Sequence, residues 1–140
     1  MPRTKCQEIQ QHGQEMYPEE CCGVLLGSML NDGSSRVSAV VRCGNVSSQP
    51  RRSRYEIDPA ELFRIQRQCR ETETEIVGFY HSHPDHPAVW SDTDLAEAHW
   101  TGCSYVITSV ENGHAAETRS FRLRGTEQQK YFEEEEVQIV

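Results

Sequence analysis

No stretch of this 140-residue chain approaches the roughly 18 consecutive apolar residues that a membrane span requires. The opening MPRTKCQEIQQ has no apolar core of the kind a secretory leader carries, so the expected location is the cytoplasm. None of the six cysteines forms a C-x-x-C pair, which removes sequence support for a thiolate zinc site or a thioredoxin-like redox pair. Cys22, Cys43 and Cys69 stand among apolar neighbours, as small buried hydrophobes in a reducing compartment do. Basic clusters are scarce too. The net charge is −8, and the one run, Arg51, Arg52 and Arg54 preceded by Arg42, reads as a solvated loop or as a surface for a carboxylate-bearing or acidic partner, and nucleic acid is not an expected partner. No repeat or interdomain linker is visible, and one domain over residues 1–140 is expected.

What is present comes in bunches. VLLG at 24–27, VSAVV at 37–41 and IVGFY at 76–80 give the chain enough apolar clustering for a folded core. Residues 4–17 read as a helix, with Thr4 and Gln7 as a capping box and Cys6, Ile9 and Met16 near one face; Gly13 weakens it and Tyr17-Pro18 ends it. A buried strand is expected over 21–30, turned by Asn31-Asp32-Gly33-Ser34 into a hairpin partner over 35–43. Residues 44–54 read as a mobile loop. A second helix begins with Asp58 as cap, Pro59 in the first turn and Glu61 completing a box, then repeats apolar positions at Leu62, Ile65 and Cys69. Strands follow over 76–80, 104–110 and 115–123, with a short helix from Ser91. The tail, EEEE at 133–136 then Val137 and Ile139, suits an edge strand or a closing helix equally. This order predicts an α+β or three-layer α/β/α sandwich.

Candidate chemistry begins with His81 and His83. Residues two apart on a strand project to the same side, so both imidazoles can reach one metal ion. Alone, an H-x-H pair is weak evidence. Asp94, in the first turn of the helix after the Pro84–Pro87 loop, is a possible third ligand. Ser91-x-x-Asp94 is equally an ordinary capping box, and on local pattern the two readings compete for the same side chains. Glu20, just before the first strand, is a carboxylate that could move a proton beside a metal; Glu19 is its equal on chemistry alone.

Taken together, Pro18-Glu19-Glu20-Cys21-Cys22-Gly23-Val24-Leu25-Leu26-Gly27, Gly78-Phe79-Tyr80-His81-Ser82-His83-Pro84 and Ser91-x-x-Asp94 resemble the JAMM/MPN+ zinc metalloprotease family. The nearer likeness is to its small prokaryotic members that act on ubiquitin-like sulfur-carrier proteins. The resemblance runs from residue 4 to about residue 123. It implies a cytidine-deaminase-like sandwich of a mostly antiparallel mixed sheet flanked by helices. It also implies Zn2+ held by His81, His83 and Asp94, Glu20 as general base and acid, and Ser91 as oxyanion donor. Ser82 is expected to point away from the metal. Asp85 and His86 are expected at the rim, His99 and His114 outside the site, and Trp90 walling the cleft or anchoring its loop.

The substrate that the resemblance implies is the amide after the C-terminal Gly-Gly of a ubiquitin-like sulfur-carrier protein. The leaving group would be cysteine, a short peptide or a conjugated lysine. Three readings compete: an amidase of small molecules with the same zinc site, a metal-free scaffold, and a non-catalytic metal module closed by His86 as fourth ligand. A symmetric homodimer is the general expectation for a small protein.

Overall fold

The computed structural model describes residues 1–140. It contains α1 (Arg3–Met16), β1 (Cys22–Met29), β2 (Ser35–Cys43), α2 (Pro59–Thr72), β3 (Glu75–Pro84), α3 (Asp92–Glu97), β4 (Ser104–Glu111), β5 (His114–Thr126) and β6 (Gln129–Glu135). The strands make one sheet in the order β2-β1-β3-β4-β5-β6. Every neighbouring pair is antiparallel except β3 and β4. The sheet is the middle of three layers. Ile9 of α1 packs with Leu25, Val77, Tyr80 and Val106 on one face. Ile65 and Cys69 of α2 pack with Val24, Phe79, Tyr105 and Leu123 on the other, joined by Leu95 of α3. The expected sandwich is the one observed, and each buried Leu or Ile in it contributes about 2 kcal/mol.

Two features of β3 prepare the site. Leu25 pairs with Gly78 and Leu26 with Ile76, so Val77 is an extra residue in the ladder. This bulge resets the alternation: Val77 and Tyr80 face α1, whereas Ile76 and Phe79 face α2. His81 and His83 follow Phe79 in phase. Second, a parallel pair cannot be joined by a tight turn. The connection from β3 to β4 must cross back over the sheet, and α3 is its first part, so α3 starts beside the end of β3.

Several local expectations need correction. No capping box forms at Thr4. Pro2, in extended conformation, is the N-cap, and its carbonyl accepts from Lys5 N and Cys6 N, which places Thr4 inside the first turn. Met16 projects to solvent. Gly13 is a packing requirement: a Cβ there would lie 3.0 Å from Val110 Cγ2 and 3.3 Å from Ser82 Cβ. Asp58 accepts from Ala60 N at 2.9 Å, and Glu61 forms no reciprocal bond; its Oε1 is buried without a partner. The 44–54 loop is pinned. Asn45 donates from Nδ2 to the carbonyls of Glu20 (3.1 Å) and Arg54 (2.9 Å), and its Oδ1 accepts from Ser47 N and Glu56 N. Of the two expectations for the tail, the edge strand holds, but at 129–135, before Val137.

Candidate metal centre

His81 Nε2 and His83 Nε2 are 3.1 Å apart at the end of β3. Asp94 Oδ2 lies 3.3 Å from the first and 3.1 Å from the second. Both imidazoles are buried. The backbone sets the orientation of His83, whose Nδ1 is 2.9 Å from the carbonyl of Pro87. A carbonyl only accepts, so Nδ1 carries the proton and Nε2 turns inward. His81 is held differently, stacked on Tyr55 with ring centroids 4.5 Å apart and planes at 21°. Its Nδ1 is buried without a partner.

These donors fit zinc. Two imidazole nitrogens and one carboxylate oxygen, all within 4.8 Å of one another, supply three protein ligands and leave a position open. His86 is not part of the group, so the closed four-ligand module is not what the chain builds. The electrostatics favour a cation at this point. Burial opposes ionisation of Asp94, yet His81, His83 and the Ser91 amide hold its carboxyl well below the usual carboxylate range. Burial keeps His81 below the ordinary histidine value. At His83 burial is again the largest effect, but the hydrogen bonds to Asp94 and the Pro87 carbonyl, with the charges of Asp94 and Glu20, together outweigh it and raise the value. A positive charge between His83 and Asp94, proton or metal, is thereby stabilised.

The capping and ligand readings of Ser91 and Asp94 turn out not to compete. Ser91 Oγ accepts from Asp94 N at 3.1 Å, and Asp94 Oδ2 accepts from Ser91 N at 2.9 Å, a complete box at the start of α3. The oxygen in that bond is the one that faces both histidines. A carboxylate oxygen has lone pairs for both duties, and the cap fixes the ligand's rotamer.

Glu20 reaches the site through sheet register. Cys22 pairs with His81 in the antiparallel β1–β3 ladder, which sets Glu20 opposite His83 on the same face although 61 residues separate Glu20 from His81. Its amide donates to the carbonyl of Arg51 at 2.7 Å. Glu20 is 4% exposed, with Oε1 unpartnered. Burial is the main cause that lifts its pKa to about 8, with the His83 charge offsetting part of the rise. Glu20, and not Glu19, lines a cavity of about 390 Å³ shared with His83, Ser91, Arg54 and Trp90. Trp90 both walls this cavity and anchors the loop on Phe132, at 5.6 Å between ring centroids.

The outlying residues sort clearly. Ser82 Oγ points away from the ligands and accepts from Cys21 N at 2.8 Å. His86 lies at the rim, exposed. Asp85 is a turn residue rather than a free rim group, accepting from Tyr17 Oη and Asn112 N. His99 and His114 are exposed. Tyr55 and the Pro87 carbonyl carried no signal in the sequence, and Arg54 none beyond its place in the basic run. Each acts across the fold or through the backbone.

A family model described as prokaryotic homologs of the JAB domain matches residues 3–124. The chain belongs to this family. A desampylase of Haloferax volcanii is 42% identical over 95 residues, 67% of this chain and 65% of the relative, so the chain spans about two thirds of that protein's length. A CysO-cysteine peptidase of Mycobacterium tuberculosis is 31% identical over 112 residues, 80% of this chain and 73% of the relative. A solution structure of a Desulfitobacterium hafniense protein superposes with a TM-score of 0.82 at 26% identity, covering 99% of this chain and 90% of that one. The JAB-domain architecture thus carries the His81–His83–Asp94 cluster at the carboxyl end of β3, where the parallel crossover brings α3 against it.

Proposed function

We propose that this chain is a zinc-dependent peptidase of the JAMM type, one domain over residues 1–140. Its substrate is the amide after the C-terminal Gly-Gly of a ubiquitin-like sulfur-carrier protein. One observation carries the reading: three inward-facing ligand atoms converge within 4.8 Å of one another, and one of them, on His83, shares a cavity with a buried glutamate whose Oε1 is unpartnered. His81, His83 and Asp94 would hold the zinc, which would supply a Lewis acid for the scissile carbonyl and for the attacking water.

The protein groups divide the remaining work. Glu20 takes a proton from water as its oxygen attacks the carbonyl carbon, then delivers that proton to the departing nitrogen as the C–N bond breaks. Burial lifts its pKa to about 8 in the metal-free fold, and a cation bound beside it would draw that value down, toward the range in which one carboxyl both takes and returns a proton near neutral pH. Ser91 Oγ already accepts from Asp94 N, so its own proton is free to be donated to the developing oxyanion. The similarity to a desampylase and to a CysO-cysteine peptidase supports a carrier-protein substrate. Six unpaired cysteines suit the cytoplasm as its place of action.

The test is intact-mass analysis of a Gly-Gly-tailed carrier extended by one amino acid, by a short peptide or by an isopeptide-linked lysine. The zinc-loaded protein should release the extension after the second glycine, and a chelator should abolish release. Glu20→Gln should lose at least about 100-fold in kcat. If every extension stays intact under zinc-loaded wild type, the carrier reading fails and an amidase of small molecules takes its place.

A further inference from the structure

A second cavity, of about 460 Å³, lies next to the first. Tyr55, Ile57, Phe79, Trp100 and Tyr105 give it an aromatic and apolar lining, and Tyr55 is the ring stacked on His81. The first cavity touches the ligand set through His83, and the second through Tyr55. A substrate whose scissile amide sits in the first cavity, against His83 and Glu20, therefore sits against the residue that the two cavities share. Only Arg54 lines both.

Arg54 is set up to receive an anion. Its backbone is fixed by the bond from Asn45 Nδ2 to its carbonyl. Its guanidinium makes one bond, a long 3.4 Å contact to the neighbouring Ser53 carbonyl. No carboxylate of the protein lies within ion-pair distance of it, and among the arginines without such a partner it is the one that lines the cavity of Glu20 and His83. In a chain of net charge −8, an unpaired guanidinium beside the reacting atoms offers a two-pronged donor matched to a carboxylate. A free amino acid leaving from an amide has its carboxylate two bonds from the departing nitrogen. In a lysine isopeptide that group lies beyond the side-chain methylenes and is itself tied in a peptide bond.

Resting on the peptidase reading above, we propose that Arg54 recognises the free α-carboxylate of the leaving group, and that the preferred substrate is a carrier tail extended by a single amino acid. The test uses the zinc-loaded protein and a Gly-Gly carrier extended by alanine, which has no metal-binding side chain, ending in a free carboxylate or in a carboxamide. Wild type should favour the acid by about tenfold or more in kcat/KM, mainly through KM. Arg54→Gln should bring the ratio near one, and Arg54→Lys should fall between, because an ammonium lacks the paired geometry. Equal cleavage of acid and amide by wild type, or a preference that survives Arg54→Gln, overturns the assignment. If neither substrate is cut, it is the peptidase reading that fails. Arg54 is then judged by NMR titration with the peptide Gly-Gly-Ala and its amide. Tighter binding of the acid that Arg54→Gln abolishes upholds carboxylate recognition, and equal binding refutes it.

Discussion

Asp94 joins two structures with one oxygen. Its Oδ2 accepts from the Ser91 amide, closing the first turn of α3, and faces the Nε2 atoms of both histidines. The roles can be separated. In Asp94→Asn the amide oxygen still accepts from Ser91 N, so the cap survives, but the negative charge that attracts a cation is gone. Thermal unfolding of the metal-free variant should therefore stay within about 1 kcal/mol of wild type. Zinc affinity, read by competition with a chelator, should fall by more than about 100-fold, beyond the loss typical of groups that merely support a ligand. A large loss of stability with zinc affinity intact would reverse the order of the two duties. Glu20 stands at the same scale as a different kind of group. Its unpartnered oxygen costs stability in the resting fold and is the sort of strain that functional sites retain.

Among the elements, α1 is joined to the site through Ser82. Gly13 sits where the helix presses on β3 and β4, and a methyl group there would lie 3.0 Å from Val110 Cγ2 and 3.3 Å from Ser82 Cβ, so these buried side chains must give by a few tenths of an ångström to admit it. Gly→Ala inside a helix ordinarily stabilises by about 0.5–1 kcal/mol. Gly13→Ala should instead lower the melting temperature, because neither neighbour can retreat without disturbing the strand that carries His81 and His83. A rise in melting temperature would mean that the helix–sheet contact yields. The elements were largely legible in the sequence because their signals are local: the β1–β2 hairpin from its Asn-Asp-Gly turn, α2 from Asp58-Pro59, β3 from its apolar run. The ligands were legible as a spaced set, though the pattern alone left Asp94 divided between metal and cap. What escaped was long-range. The stacking of Tyr55 on His81 and the placement of Arg54 between two cavities depend on how the 44–58 segment folds back, and the Pro87 carbonyl behind His83 on how the loop after β3 does, which no periodicity encodes. The Thr4 box failed because Pro2 had already taken the cap position, and the mobile loop failed because Asn45 ties four backbone groups together.

For the molecule as a whole, the side of the sheet away from the metal contains its own titratable group. His12 on α1 is buried, with Nδ1 2.7 Å from Tyr80 Oη. Burial lowers its pKa from 6.5 to about 4; Arg42 adds to the effect and Glu15 opposes it. A base whose pKa is depressed by folding stays neutral in the native state while the unfolded chain takes up a proton. Its contribution to stability is present above about pH 6.5 and is lost as pH falls through about 4. Thermal unfolding between pH 7 and pH 4.5 should show wild type losing more stability than His12→Asn, with the metal-free form used for both so that ligand protonation cancels. Parallel decline of the two would mean that His12 is charged in the folded protein.

The division of labour at the centre, with three ligands and a proton carrier outside the ligand set, is tested most directly by native mass spectrometry of the zinc-treated protein. One zinc per chain is expected for wild type and for Glu20→Gln, and none for His83→Ala. Zinc retained at full stoichiometry by His83→Ala, or lost from Glu20→Gln, would contradict the assignment of these residues.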